Sequence, residues 1–324
     1  MRAVVCKSWG DPSGLVVGDL PEPSCGPRQV IVQVKAWGVN YADLVLIGGQ
    51  YHLKPAFPFA PGMEVAGEII QTGSEVTKHS IGERVCAILD YGGFADLVAA
   101  NEEAVMSLPS SMEFVEGAGF LIGYSTAYVA LCHRAGLRKA ETLVVLGAGG
   151  GVGLAAVAIG RAIGARVVAV ASTDEKLEAA RRYGATDCIN YSTDSLRERV
   201  KQLTGGRGAD VVFDPVGGDA FDTALRCVAF EGRIVVIGFA SGRIPSASAG
   251  LVLVKGCSVI GSSVTFTQQY RPDVIRQARG QLVDWHSKGM LPSLTFQTLP
   301  FAEAPNALSL LAARSSQGRI VLRD

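Results

Sequence analysis

The chain has 324 residues, 48% of them hydrophobic and 19% charged, with 30 basic residues balancing 30 acidic ones. That length and apolar content suit two domains with ample cores and exclude extended disorder. A formal net charge of zero advertises neither a nucleic-acid surface nor an acidic partner.

The N-terminal stretch reaches Lys7 and Asp11 before any long apolar segment, so it does not read as a secretory signal, and a cytoplasmic protein is expected. Half of the 14 prolines fall in the first 61 residues, where they punctuate short alternating runs such as 30–34 (VIVQV) and 67–70. These predict the strands of an irregular β domain. Seven cysteines stand at 6, 25, 86, 132, 188, 227 and 257, without a Cys-x-x-Cys pair. An odd and scattered set suits reduced, packed thiols rather than a metal ribbon.

From about residue 120 the texture changes. Apolar strands are predicted to start near 142, 166, 187, 210, 233 and 257, at intervals of 24, 21, 23, 23 and 24 residues. Helical patterns at 152–163, 174–183, 195–203 and 219–228 lie between them, with Gly164, Gly184, Gly205 and Gly232 expected as helix C-caps. Such a βα repeat implies a doubly wound parallel sheet with right-handed crossovers. After residue 262 the period is lost, leaving a helix at 273–288, a short strand at 294–298 and a helix–strand unit at 302–322.

Residues 142–160 carry no charge and invite a membrane reading, but six of the 19 are glycine. Glycines so placed break a spanning helix, and strand, turn and helix is the better expectation. No membrane association is predicted. The segment VVLGAGGGVGLAAVAIG contains Gly147-x-x-Gly150-x-x-Gly153 between an apolar strand and a helix. Gly147 allows the sharp turn, Gly150 a close approach of a pyrophosphate, and Gly153 tight helix–strand packing. With Gly151 and Val152 these residues place free N–H groups and the positive helix end at the phosphates of a dinucleotide.

An NAD-binding chain usually carries Asp or Glu at the end of the second strand. Here the strand runs into Ala171-Ser172-Thr173, and Ser172-x-x-Glu175 reads as a capping box, which also accounts for Asp174 in the first turn. Ser172 and Lys176 suit a ribose 2′-phosphate, which favours NADPH, although Lys176 reads equally as a solvated helix lysine.

Four segments together, GVNYADLVLIGGQY (38–51), PFAPGMEVAGEI (58–69), the glycine loop, and INYS with DPVGG (189–192 and 214–218), resemble the zinc-free medium-chain dehydrogenase/reductases of the quinone oxidoreductase, zeta-crystallin-like family. The resemblance spans essentially the whole chain. It implies a Rossmann-type doubly wound sheet at 121–262, inserted into a GroES-like, mainly β catalytic domain at 1–120 and 263–324. Zinc-dependent relatives carry Cys and His where this chain has Asn40 and Met63, and the four-cysteine lobe of those relatives has no counterpart in 91–101. No metal is expected, and Asp43 and Glu64 are expected to hold backbone and cationic neighbours.

Without a metal to polarise an alkoxide, the favoured chemistry is hydride delivery to an electron-poor acceptor. The resemblance implies an NADPH-dependent quinone oxidoreductase, with an enone or 2-alkenal reductase as the alternative and an NADPH-binding structural or regulatory protein as the alternative of another class. It points to Asn40, Tyr41 and Tyr51 as catalytic candidates. The Asn40 amide would orient a ribose or the acceptor, and tyrosine or water would supply a proton. Each has a plainer explanation: Asn40 as a loop-bonding residue, and the tyrosines as packing or wall residues. The same resemblance adds Thr126, Tyr191, Phe239, Ser262 and Arg319 to the cofactor groove, where a surface ion pair is the other account of Arg319. A homodimer formed through an edge strand at 255–266 completes the expectation.

Overall fold

The computed structural model describes the backbone of residues 1–324 and the side chains of all except 295 and 296. In chain order the first part holds β1 (Arg2–Val5), β2 (Val16–Asp19), β3 (Gln29–Gly38), α1 (Tyr41–Ile47), β4 (Glu64–Thr72), β5 (Arg84–Ile88), β6 (Leu97–Asn101) and β7 (Val105–Ser107). Helix α2 (Phe114–Tyr128) continues as a π-helical segment, Val129–Arg134. There follow β8 (Thr142–Leu146), α3 (Gly151–Ile163), β9 (Arg166–Ala171), α4 (Asp174–Tyr183), β10 (Asp187–Asn190), α5 (Leu196–Leu203), β11 (Ala209–Asp214), α6 (Gly218–Cys227), β12 (Val228–Val236), α7 (Ala249–Lys255) and β13 (Ser258–Gly261). The chain closes with α8 (Val264–Tyr270), α9 (Pro272–Ser287), β14 (Thr295–Pro300), α10 (Ala304–Ala312) and β15 (Arg319–Arg323).

Two compact units result, Met1–Ile122 with Ser293–Asp324, and Gly123–Pro292. The first is built on a mixed sheet in the order β14-β15-β3-β4-β5-β7, with β6 paired to the opposite end of β3. β3 can serve two partners because it is ten residues long, meeting β6 at Gln29–Gln33 and β15 at Trp37 and Gly38. Burial alternates along its middle and becomes continuous at Ala36–Gly38, where the strand enters the core. Trp37 is wholly buried, donates its indole N–H to Ala95 O at 2.8 Å and lies 4.5 Å from the Phe301 ring. Ala304, Ala307 and Leu308 of α10 join the same cluster, which is why the C-terminal segment belongs to this unit.

The second unit has six parallel strands in the order β10-β9-β8-β11-β12-β13. This is the doubly wound arrangement that the repeat predicted, with the order reversing between β8 and β11. All five residues of β8 are buried, as a strand covered on both faces requires. Gly164 and Gly184 end α3 and α4 in the left-handed conformation at φ 84° and 108°.

Three expectations are corrected. Gly232 is no helix cap: β12 begins at Val228, and Gly232 lies inside it, where a Cβ would crowd Val228 and the carbonyl oxygens of Ala209 and Ala229. The edge strand of 255–266 shrinks to the four residues of β13, with α7 ending at Lys255 and α8 starting at Val264. The return to the first unit comes at Ser293, not at 263. Residues 264–292 lose the βα period because they form a helical pair packed on Val129, through Val264, Val274 and Ile275, and on Tyr128, through Trp285.

The uncharged stretch at 142–160 resolves into strand, turn and helix as expected. A different segment, Phe114–Arg134, is long and apolar enough by length and composition to cross a membrane, yet 78% of its most apolar window is buried inside the protein. Packing accounts for that apolarity.

A Cβ at Gly153 would overlap the carbonyl oxygen of Gly147 and stand 2.9 Å from Ala148 Cα, both backbone atoms that cannot rotate away. Gly153→Ala is therefore expected to destabilise the fold by about 1–3 kcal/mol. Gly280→Ala in α9, where nothing lies within 4 Å of the new methyl, should be neutral or stabilising by up to ~1 kcal/mol. Denaturant unfolding of the two variants checks both. Equal stabilities would refute the close approach.

Candidate functional site

In the second unit the site begins where β8 ends. Gly147 turns the chain at φ 61°, Ala148 N–H donates to Val170 O at 3.0 Å, and Gly150 N–H returns to Gly147 O at 3.1 Å. Gly150 is the N-cap of α3, and the helical ladder starts with Leu154 N–H on Gly150 O at 2.8 Å. The N–H groups of Gly151, Val152 and Gly153 thus stand ahead of the ladder, pointing out of the helix start. A Cβ at Gly150 would meet nothing nearer than Gly147 O at 3.6 Å, so the loop is open there. A Cβ at Gly149 would strike the Lys176 stem, which places Lys176 against the loop.

At the end of β9, the segments that follow β9 and β10 meet. Tyr191 N–H donates to Ala171 O at 3.1 Å, and Ser192 Oγ donates to Ser172 O at 2.8 Å. The cap is displaced by one residue, and the expected box does not form. Thr173, not Ser172, caps α4 by accepting from Lys176 N–H, so the Ser172 hydroxyl has no capping duty. Asp174 accepts from the Asn190 side chain at 3.0 Å. The Tyr191 side chain is more than half exposed.

Phe239 follows β12 and crowds Gly217, whose Cβ would sit 3.0 Å from the Phe239 ring. Ser262 follows β13 with its N–H on Val236 O at 3.0 Å, and its buried hydroxyl has no hydrogen-bond partner among the described residues. Thr126 is buried on α2. Sequence reasoning missed Asp214. It ends β11 beside the strand-order reversal, is wholly buried, and accepts from Val216 and Gly217 N–H at 2.8 and 2.9 Å through Oδ1. Burial raises its pKa. The turn it shapes lies against Gly147, through Val216 and Pro215. The available signal was DPVGG itself, an acid followed by a proline and two glycines, which adopt φ 68° and 55°.

The first unit assembles a different cluster. Asn40 links β3 to α1 and is 5% exposed. Its backbone N–H donates to Asp43 Oδ2 at 2.8 Å, and its Nδ2 donates to Gly38 O and Glu64 Oε2, both at 3.3 Å. Glu64 opens β4, accepts from Ile122 N–H at 2.8 Å through Oε1, and pairs through Oε2 with Arg319 of β15. A side chain at Gly38 would overlap Ala118 O and approach Glu64 Oε2 to 3.1 Å, so the glycine is what lets this cluster close. The expected holding roles of Asp43 and Glu64 are visible here. The surface ion pair offered for Arg319 requires a correction: its guanidinium is a buried partner of Glu64, 4% exposed. Tyr41 is exposed on the first turn of α1. Tyr51 packs against the unit's core with its ring 4.2 Å from that of His52.

The chain matches two family models, the alcohol dehydrogenase GroES-like domain over residues 26–131 and the zinc-binding dehydrogenase over residues 151–279. It is 36% identical to a quinone oxidoreductase-like protein 2 homolog of Nematostella vectensis, over 99% of this chain and 88% of that protein. The structure of Escherichia coli quinone oxidoreductase complexed with NADPH superposes with a TM-score of 0.92 at 27% identity, covering all of both chains. The CurK enoyl reductase superposes at 0.90 with 25% identity, covering 99% and 98%. The chain belongs to the quinone oxidoreductase family of medium-chain dehydrogenase/reductases, whose members are oxidoreductases.

Zinc, named in one of the matching models, does not fit the residues present. Asn40 offers an amide turned inward, Met63 a buried thioether, and Glu64 a carboxylate already neutralised by Arg319. Among the described residues no group of three or more His, Cys, Asp or Glu is placed to hold a metal. A dinucleotide does fit, since the loop presents ungated N–H groups and a glycine surface open at Gly150.

Burial raises both carboxyl groups of the cluster, Asp43 to about 7, with Arg319 pulling each back down. A folded-state pKa above the unfolded value means that the folded chain binds the extra proton. The associated stability is full below pH 4 and is lost as pH rises to and through 7. The protein is expected to unfold at lower urea at pH 8 than at pH 5, and Asp43→Asn should flatten that slope. An unchanged slope in the variant would remove Asp43 as its source.

Proposed function

We propose that this chain is an NADPH-dependent oxidoreductase that reduces quinones without a metal. The observation that supports this reading is the end of β9, where the Ser172 hydroxyl is not used as the helix cap, the Lys176 stem lies against Gly149 and Tyr191 follows β10. Asp174 is already engaged by Asn190. A lysine beside a hydroxyl suits a phosphate. The NADPH complex of the Escherichia coli relative supports the same cofactor.

When bound, NADPH would supply a hydride. The protein's own residues then bind, orient and provide a proton. Gly147, Gly150, Gly151, Val152 and Gly153 cradle the pyrophosphate, and Phe239, Ser262 and Thr126 are assigned to the remaining cofactor surface. Asn40 orients a reacting partner, and Tyr41, Tyr51 or water provides the proton to the reduced oxygen. A quinone accepts a hydride readily because the added charge is delocalised onto oxygen. An α,β-unsaturated carbonyl does so too, and the likeness to an enoyl reductase favours that as the second reading.

Steady-state rates with NADPH and NADH against 1,4-benzoquinone, a naphthoquinone and a short 2-alkenal test this. NADPH is expected to be preferred, and Lys176→Ala should weaken NADPH by about 10- to 100-fold, the range of a charge-assisted hydrogen bond, while leaving NADH nearly unchanged. Equal use of NADH by the unmodified protein refutes the cofactor assignment. Faster turnover of the alkenal than of either quinone would install the second reading.

We further propose a homodimer through β13. This strand pairs with β12 on one side and ends the sheet on the other. Near it Phe230, Leu253 and Val254 expose 76%, 81% and 81% of their surface. An open edge flanked by apolar side chains invites a second copy. Light scattering should return twice the chain mass, and a monomer at micromolar concentration would refute it.

A further inference from the structure

The buried cluster of the first unit determines which edge of the Asn40 amide a ligand meets. An asparagine amide has two donor hydrogens on nitrogen and an acceptor oxygen. Both hydrogens have inward partners here, Gly38 O and Glu64 Oε2, each at 3.3 Å from Nδ2. Glu64 cannot turn away, because Ile122 N–H holds one oxygen and Arg319 the other. Asn40 is gripped from Asp43 as well, its backbone N–H on Asp43 Oδ2 and its side chain closing the capping box on Asp43 N–H, which leaves the amide oxygen one further lone pair. We propose that Glu64, anchored by Arg319, is a positioning residue that locks the Asn40 amide with its nitrogen inward, so that Asn40 meets its ligand as a hydrogen-bond acceptor.

The proposal rests on Asn40 serving the reaction, and it narrows what Asn40 does there. The amide does not donate to a developing oxyanion; its partner is a hydroxyl. A sugar hydroxyl of the cofactor and a hydroxyl of a quinol product share that chemistry. Donors to the oxyanion must come from elsewhere, which leaves that duty to a tyrosine or water. Reversing the amide would set its carbonyl oxygen against the Glu64 carboxylate, two acceptors with no proton between them.

Two measurements test this. In protein labelled with ¹⁵N-asparagine, the Asn40 side-chain NH₂ signal, identified by its loss in Asn40→Ala, is expected to exchange slowly with water. Rapid exchange would overturn the lock without reference to any ligand. Calorimetric NADPH binding and the inhibition constant of the quinol product are then compared for Asn40→Ala, Glu64→Gln and the double variant. Glu64→Gln should weaken one of the two by about tenfold, and the double variant should be no worse than Asn40→Ala, because Glu64 acts through Asn40. Weaker NADPH binding identifies a cofactor hydroxyl, and weaker quinol inhibition with NADPH binding unchanged identifies a product hydroxyl. Additive losses, or a folded Glu64→Gln protein with both constants unchanged, overturn the positioning role. Failure of the unmodified protein to bind NADPH would instead refute the cofactor assignment, and the exchange result would stand apart from it.

Discussion

Asp43 and Glu64 are both removed from water in the first unit, and the guanidinium of Arg319 is what makes that burial tolerable. An uncompensated buried carboxylate costs several kcal/mol, so the cluster holds only if its cation arrives. That cation comes from the other end of the chain, 255 residues after Glu64. The requirement reaches into the backbone around it. β15 must pair with the end of β3, Val39 N–H must find Ile320 O, and Gly38 must lack a side chain. Trp37 and Phe301 pack beside this junction, so the apolar core and the ion pair close the same discontinuous unit.

The second unit depends on a constraint of space rather than charge. α3 lies so close to the end of β8 that Gly153 admits no methyl group, and the same approach aims the first N–H groups of the helix outward over an open glycine. The parallel sheet then carries Ser172, Tyr191, Asp214 and Ser262 at the ends of four of its strands, β9, β10, β11 and β13, where ligands of this architecture gather. Burial of Asp214 is part of that construction, since its carboxylate shapes the turn lying against Gly147. One unit therefore offers an open helix start at the glycine loop, and the other a buried amide held by its neighbours.

Elements governed by local periodicity were legible. The helix at 174–183 and the strands at 142, 166 and 187 begin where apolar spacing and glycine caps place them. Errors arose where two local signals compete. Gly232 sits at a distance suited to a helix cap, but the chain has already entered β12, because Val228 and Ala229 find burial in the sheet. Ser172 and Thr173 are both good caps, and pairing of the preceding strand shifted the cap by one residue. Residues 264–292 carry helical patterns that say nothing about which unit they cover; their contacts with Tyr128 and Val129 assign them.

Sequence alone determined the doubly wound sheet, the strand–glycine turn–helix at 142–163 and the family, because each is written in spacing over a few tens of residues and in residues with narrow conformational tolerance. Only the tertiary structure decided the fate of Arg319 and the orientation of Asn40. A guanidinium near a glycine in a C-terminal strand carries no mark of whether it will meet a phosphate or a carboxylate. The pairing with a carboxylate came from β15 lying beside β3, which puts Arg319 within reach of Glu64 and makes it the anchor of the first unit's buried cluster.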